Sequence, residues 1–292
     1  MAPRFTFLLL LFLAFAAWAD EKYPFTVDVQ KDRDGATFWG RNDGPAPVSV
    51  LIRFPVQENL RADEPLPAAA VVPARSSKKI VRVSRLDARG GWRYESTWSW
   101  RAGDYTAKPD PQARYRVPWM DGRAYRIGQA PGGRITTHTN AWSRDAIDIN
   151  MPEGTPVLAA RAGVVIRTVD EYSEGRLDES LRDKANIVRV LHDDGTMGEY
   201  VHLMHGGVAV KVGERVAAGR ILGYSGSTGF SAGPHLHFAV LRVQREGDAL
   251  KYVSLPFEFY VGSPEYVFFP KTGMVVPADY SAPGAAPKFG VR

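Results

Sequence analysis

Gly233-Pro234-His235-Leu236-His237-Phe238 places two of the chain's six histidines one residue apart. On a β-strand the side chains at i and i+2 project from the same face, so this stretch, read as a strand, aims both imidazoles at one point. Neutral imidazole is among the commonest zinc ligands, and an unligated imidazole beside it can trade protons near neutral pH. The other histidines, His138, His192, His202 and His205, fall within the preceding hundred residues or so, and none lies in the N-terminal third. One region of the chain is therefore built as a candidate site.

Working outward from that pair, the neighbouring segments also read as strands. Thr155-Pro156-Val157 leads to Ala162-Gly163-Val164-Val165-Ile166 in a hairpin pattern, Asn186 to Leu191 alternates around Val188 and Val190, and Gly198 to Leu203 gives a further strand. Asp170 to Lys184 is rich in charge and serine and reads as a solvated insertion, with a short helix expected at Leu177 to Leu181. Residues 20–105 carry short strand runs such as Phe25 to Val29, Val48 to Ile52 and Ile80 to Val83, separated by the turn formers Asp34-Gly35, Asn42 to Pro45 and Arg89 to Gly91. Trp92, Tyr94, Ser96, Trp98 and Trp100 fall on one strand face, which reads as a core face. The pattern predicts an immunoglobulin-like β-sandwich there. Pro109, Pro111 and Pro118 mark an extended linker over 106–118. A second β-domain is expected over 119–270, then a mobile C-terminal tail over 271–292 that is poor in large apolar residues. The fold class is mainly β.

Composition narrows the function classes. There is no cysteine, which excludes disulfides, thiolate metal ligands and a cysteine nucleophile. Arg4, the apolar run Phe5 to Phe15 and Ala17-Trp18-Ala19 have the three-part form of a signal peptide over residues 1–19, so a periplasmic or secreted protein, not a lipoprotein, is expected. No later stretch approaches membrane-spanning length. The net charge of +5 is modest and no Lys/Arg run points to nucleic acid; it suits an acidic partner such as a bacterial cell wall.

Four ordered motifs then carry a resemblance. Asp148-Ile149-Asn150-Met151-Pro152-Glu153-Gly154-Thr155-Pro156-Val157, the spacer Val212 to Gly223, Glu199-Tyr200-Val201-His202-Leu203, and Gly229 to Phe238 resemble the lysostaphin-type zinc metallopeptidases, over about residues 115–265. The resemblance implies an antiparallel β-domain with a groove floored by a sheet, and hydrolysis of peptide stems or bridges of peptidoglycan. It implies zinc ligation by Asp148 and His237, one Zn2+ per chain, and unligated, catalytic His202 and His235. That division agrees with the chemistry of a catalytic zinc, which keeps an open position for water, and of a general base, which must reach that water without binding the metal.

The sequence departs from the family at one ligand. A histidine is usual four residues before the aspartate, where Arg144 stands here, and a guanidinium stays protonated and binds no zinc. The nearest candidate is His138, ten residues before Asp148, joined to it by a loop of nine residues that can return to the start of the next strand. The alternative is a polar loop histidine and a site with two ligands. His192 reads as a solvated turn residue, His205 as a surface or groove-rim residue, and Asn186 as a buried asparagine satisfying backbone groups. The function expected is an exported zinc endopeptidase acting on peptidoglycan peptides. The competing expectation is an inactive relative that binds the wall or activates another hydrolase.

Overall fold

The computed structural model describes residues 23–134, 136–280 and 290–291, which are almost wholly strands and turns. The expected signal peptide lies outside the described residues. No helix among the described residues is long and apolar enough to cross a membrane.

The N-terminal strands form two antiparallel sheets. Phe25–Lys31, Gly35–Asn42, Ser76–Arg85 and Leu60–Ala62 pair in that order, and Ala68–Val72, Val48–Glu58 and Arg93–Ala102 make the second sheet. The sheets face each other across Phe38 and Phe54, whose rings meet edge-on at 5.3 Å. Tyr94 and Trp100 pack on this core, as the aromatic stripe predicts, whereas Trp98 remains 40% exposed. Val48 to Ile52 does not alternate in burial, because the whole run is inaccessible. The cause lies on the strand's other face. There Arg53 Nε donates to the carbonyl of Asp248 at 3.0 Å, so the strand is covered by the second half of the chain as well as by its own sandwich.

That second half is built on a 12-stranded sheet. Across its centre run Ala124–Gln129, Ile147–Asn150, Leu236–Glu246, Met197–Val208, Asn186–Leu191 and Gly163–Val169, each antiparallel to the next. Alternation sorts their side chains. Ile127, Ile147, Ile149, Val188, Val190, Tyr200, Leu236 and Phe238 bury in one core on one face. On the opposite face His237 is followed by Ala239, Leu241 and Val243, and these, with Ala146, Ile166, Met197 and Leu250, join a single cluster with the N-terminal strands. The two halves therefore share a core. The sandwich sits on the same sheet face as His237, about 7 Å farther along the strand at Ala239.

The expected linker and tail are also partly built in. Arg114–Arg116 pairs in parallel with Glu258–Val261, and Tyr115 and Val117 are buried. Met274–Pro277, assigned to the tail by the sequence reading, pairs with Ala124–Gln129 and buries Val276. Both segments supply large side chains to the core, which their proline and glycine content hides. Residues 281–289 lie outside the described residues.

Candidate metal centre

Register brings the site together. Asp148 and His237 are direct partners in the pairing of Ile147–Asn150 with Leu236–Glu246, so both side chains rise from the same face on adjacent strands. His138 arrives from the preceding loop. Gln129, opposite Asp148 on the next strand, accepts the backbone N–H of Thr137 at 2.8 Å on its side-chain oxygen and so fixes the loop beside His138. His138 Nδ1 donates to the carbonyl of Ala146 at 3.1 Å, which turns Nε2 towards the aspartate. Asp148 Oδ1 then lies 3.2 Å from His138 Nε2 and 3.0 Å from His237 Nδ1.

Three donor atoms, one from each of these residues, lie within 4.8 Å of one another. A tetrahedral zinc with bonds of about 2.0–2.2 Å holds its ligand atoms roughly 3.3 Å apart, so the donor set fits such an ion in type and number, and the 3.2 and 3.0 Å separations from Asp148 Oδ1 fit it in spacing. His138 and Asp148 are buried, which removes competing water. Burial opposes the charge of the Asp148 carboxylate, but hydrogen bonds from His138 and His237 outweigh it and hold the group ionised far below the usual carboxylate range. Arg144, at the family's usual ligand position, is 68% exposed and pairs with Asp145 at 3.5 Å.

The other two site histidines stand beside the triad. His235 Nε2 is 3.8 Å from Asp148 Oδ1, while its Nδ1 donates to the carbonyl of Gly233 at 2.8 Å. His202 lies with its ring centroid 4.6 Å from that of His235, and its Nδ1 donates to the carbonyl of Thr228 at 2.6 Å. By simple alternation His202 should point into the core, because its neighbour Val201 is the cross-strand partner of His237. The strand is bulged here: His202 has φ of 65° and the register slips between the pairs Ile187–Val201 and Asn186–Leu203. A bulge of this kind re-aims one side chain at a cost in backbone strain, which a non-glycine residue in the left-handed region reports. Burial, with the neighbouring His235 and His237, pushes His202 down to about 3, so it is neutral. Its tautomer is set by the Thr228 carbonyl, leaving Nε2 as an acceptor.

Loops wall this floor. Asn186 is buried and clamps Tyr172 through both backbone groups, accepting its N–H at 2.9 Å and donating to its carbonyl at 2.8 Å, which agrees with the structural reading of that residue. The insertion 170–184 is thus anchored, and its helical piece is a 3-10 turn, Glu179–Leu181. Gly175–Arg176 pairs in parallel with Gly229–Phe230 so closely that a Cβ on Gly175 would meet the Ser227 carbonyl oxygen at 1.4 Å. Only glycine fits there. His205 is exposed, as expected.

His192 departs from its expectation. It is buried, with Nδ1 donating to the Ala162 carbonyl at 2.8 Å and its ring edge-on to Tyr115 at 5.6 Å. The polar sequence around it marks a turn, but the partly built-in linker brings Tyr115 over the ring. Sequence reasoning also misses Gln129 and the carbonyls of Ala146, Thr228 and Gly233. Backbone partners leave no mark in residue identity.

A sheet that carries two imidazoles and a carboxylate at metal-ligand spacing, with two further imidazoles beside them, is the framework of a mononuclear metal site. The comparisons agree in kind. The model of Peptidase family M23 matches residues 143–250, the region whose motifs carry the lysostaphin-type resemblance. His138 lies just ahead of the matched segment. Glycyl-glycine endopeptidase ALE-1 of Staphylococcus capitis is 34% identical over 131 residues, 44% of this chain and 32% of that protein. Peptidoglycan DD-endopeptidase ShyA of Vibrio cholerae is 36% identical over 104 residues, 36% of this chain and 21% of that protein. The structure of lysostaphin from Staphylococcus simulans aligns at 27% identity and a TM-score of 0.31, over 50% of this chain and 47% of that one. The chain thus matches about a third or less of the length of these two curated relatives.

Proposed function

We propose that this protein is an exported zinc endopeptidase that hydrolyses peptide bonds in the cross-links or stem peptides of bacterial peptidoglycan. The observation that carries the reading is the convergence of His138, Asp148 and His237 at zinc-ligand spacing beside two histidines whose Nδ1 atoms are both committed to backbone carbonyls. His138 Nε2, Asp148 Oδ1 and His237 Nδ1 are the proposed ligands. Zinc held there supplies polarisation of the scissile carbonyl and a lowered pKa for the attacking water.

The remaining steps belong to the protein. His235 Nε2, free of the Gly233 carbonyl, accepts the proton of the attacking water and returns it to the departing amine. Neutral His202 offers Nε2 as an acceptor that orients the water and the proton-bearing His235. The sandwich packs on the same sheet face beyond Ala239, and the anchored insertion pairs with Gly229–Phe230, just ahead of the histidine pair. The test is release of new amino groups from soluble muropeptides by the purified protein. Activity should disappear on chelation, return with zinc, and fall steeply in His235→Ala. A zinc-loaded protein that binds muropeptides without cutting them would favour the wall-binding alternative.

A further inference from the structure

Arg126 is a cation on the sheet face of the site that the proposed chemistry does not use. It lies on Ala124–Gln129, where Ile127 is the partner of Ile149 and Arg126 the partner of Asn150. Ile127 and Ile149 are both wholly buried in the core beneath the sheet. Arg126 and Asn150 therefore project from the opposite face, the one that carries Asp148. Asn150 is two residues from Asp148 along one strand and Arg126 is one strand across. Strand geometry places the Arg126 backbone roughly 8 Å from that of Asp148. The register slip between Asp148 and Ile149 leaves Gly128 as the extra residue, and the Asn150 side-chain oxygen takes the place a Cβ on Gly128 would need, at 2.3 Å.

Both Arg126 and Asn150 are exposed, and Arg126 has no hydrogen-bond or ion-pair partner among the described residues. An uncompensated guanidinium beside a centre that binds a dication is electrostatically unfavourable unless an anion joins it. Guanidinium groups match carboxylates in a two-point, charge-assisted geometry.

We infer that Arg126 recognises a carboxylate on the substrate, within a residue or two of the scissile bond. This inference rests on the peptidoglycan-peptidase reading and sharpens it. The preferred substrate is an acidic stem-peptide cross-link, whose residues bear free carboxylates, and not a neutral oligoglycine bridge.

The test uses zinc-loaded His235→Ala protein, so that binding is measured without turnover. Calorimetry compares a cross-linked stem-peptide dimer, the same dimer with its carboxylates amidated, and pentaglycine. The free-carboxylate dimer should bind about 10- to 100-fold more tightly than the other two, as a hydrogen bond to a charged group allows. Adding Arg126→Gln should abolish that preference with zinc content unchanged, and Arg126→Lys should keep part of it. A preference that survives Arg126→Gln, or equal binding of the free and amidated dimers, would overturn the role of Arg126 and leave the peptidase reading intact. Failure of all three peptides to bind would overturn both.

Discussion

His192 makes stability depend on pH in a way that a single substitution should reveal. Burial holds its imidazole down at about 4, outweighing the hydrogen bond to the Ala162 carbonyl, which favours the protonated ring, and Nε2 has no partner among the described residues. Protonating Nε2 would bury an N–H with nothing to accept it. In the unfolded chain the group titrates near 6.5. The folded value is the lower one, so between these values the unfolded state binds more protons and stability falls as pH drops from 6.5 towards 4. Integrating from pH 7 to pH 5 with these two values gives a loss of about 2 kcal/mol from this residue alone. His192→Asn keeps a donor for the Ala162 carbonyl and removes the titration. Urea unfolding of both proteins at pH 7 and pH 5, followed by tryptophan fluorescence, should show the variant losing about 2 kcal/mol less than the parent over that interval. Equal losses in both proteins would refute the argument, because the other carboxylates and histidines are common to the pair.

Other outcomes follow from the same geometry. His138→Ala, Asp148→Ala and His237→Ala should each lower zinc content measured by mass spectrometry, and full zinc in His138→Ala would remove it from the ligand set. His202→Ala and His235→Ala should retain zinc yet lose roughly 10²–10⁴-fold in turnover, the usual contribution of an acid–base group. A fragment starting at Tyr115 would expose Ile166, Met197, Leu241, Val243 and Leu250 of the shared core. At ~1.5–3 kcal/mol for each large side chain, the upper estimate of the loss is on the order of 10 kcal/mol, comparable to the whole stability of a domain. The fragment should therefore unfold at much lower urea concentration than the full chain, and an unchanged midpoint would contradict the shared core.

The legible parts of this protein are those written in side-chain period and motif. The i, i+2 spacing of His235 and His237 points to a strand and a shared aim of the two rings; the strand begins at Leu236, just after His235, and both rings lie against Asp148. Asp148, His138 and His202 also lie close to this pair in the structure. The loop of nine residues after His138 does close back onto the sheet, held at Ala146. Less legible is anything decided by long-range burial. Val48 to Ile52 looks like an ordinary one-sided strand, and only the packed structure shows that Ser49 and Leu51 are covered from a second side. His192 sits in a polar turn motif, yet Tyr115, far away in sequence, closes over it. The bulge at His202 is likewise unreadable, since any period-two reading sends that side chain to the core face. Arg126 shows the same limit: its place on the sheet face that carries Asp148 follows from register with Asn150, not from any motif.

The most direct test of the account is mass spectrometry of purified peptidoglycan after digestion by the protein carrying one zinc per chain. The account predicts soluble fragments with new peptide amino and carboxyl ends, each cut adding one water, with the glycan strands intact. Those products should vanish when zinc is removed and reappear when it is restored. Fragments ending in cut glycan, or an undigested wall despite full zinc occupancy, would contradict the assignment of this site as a peptidoglycan endopeptidase.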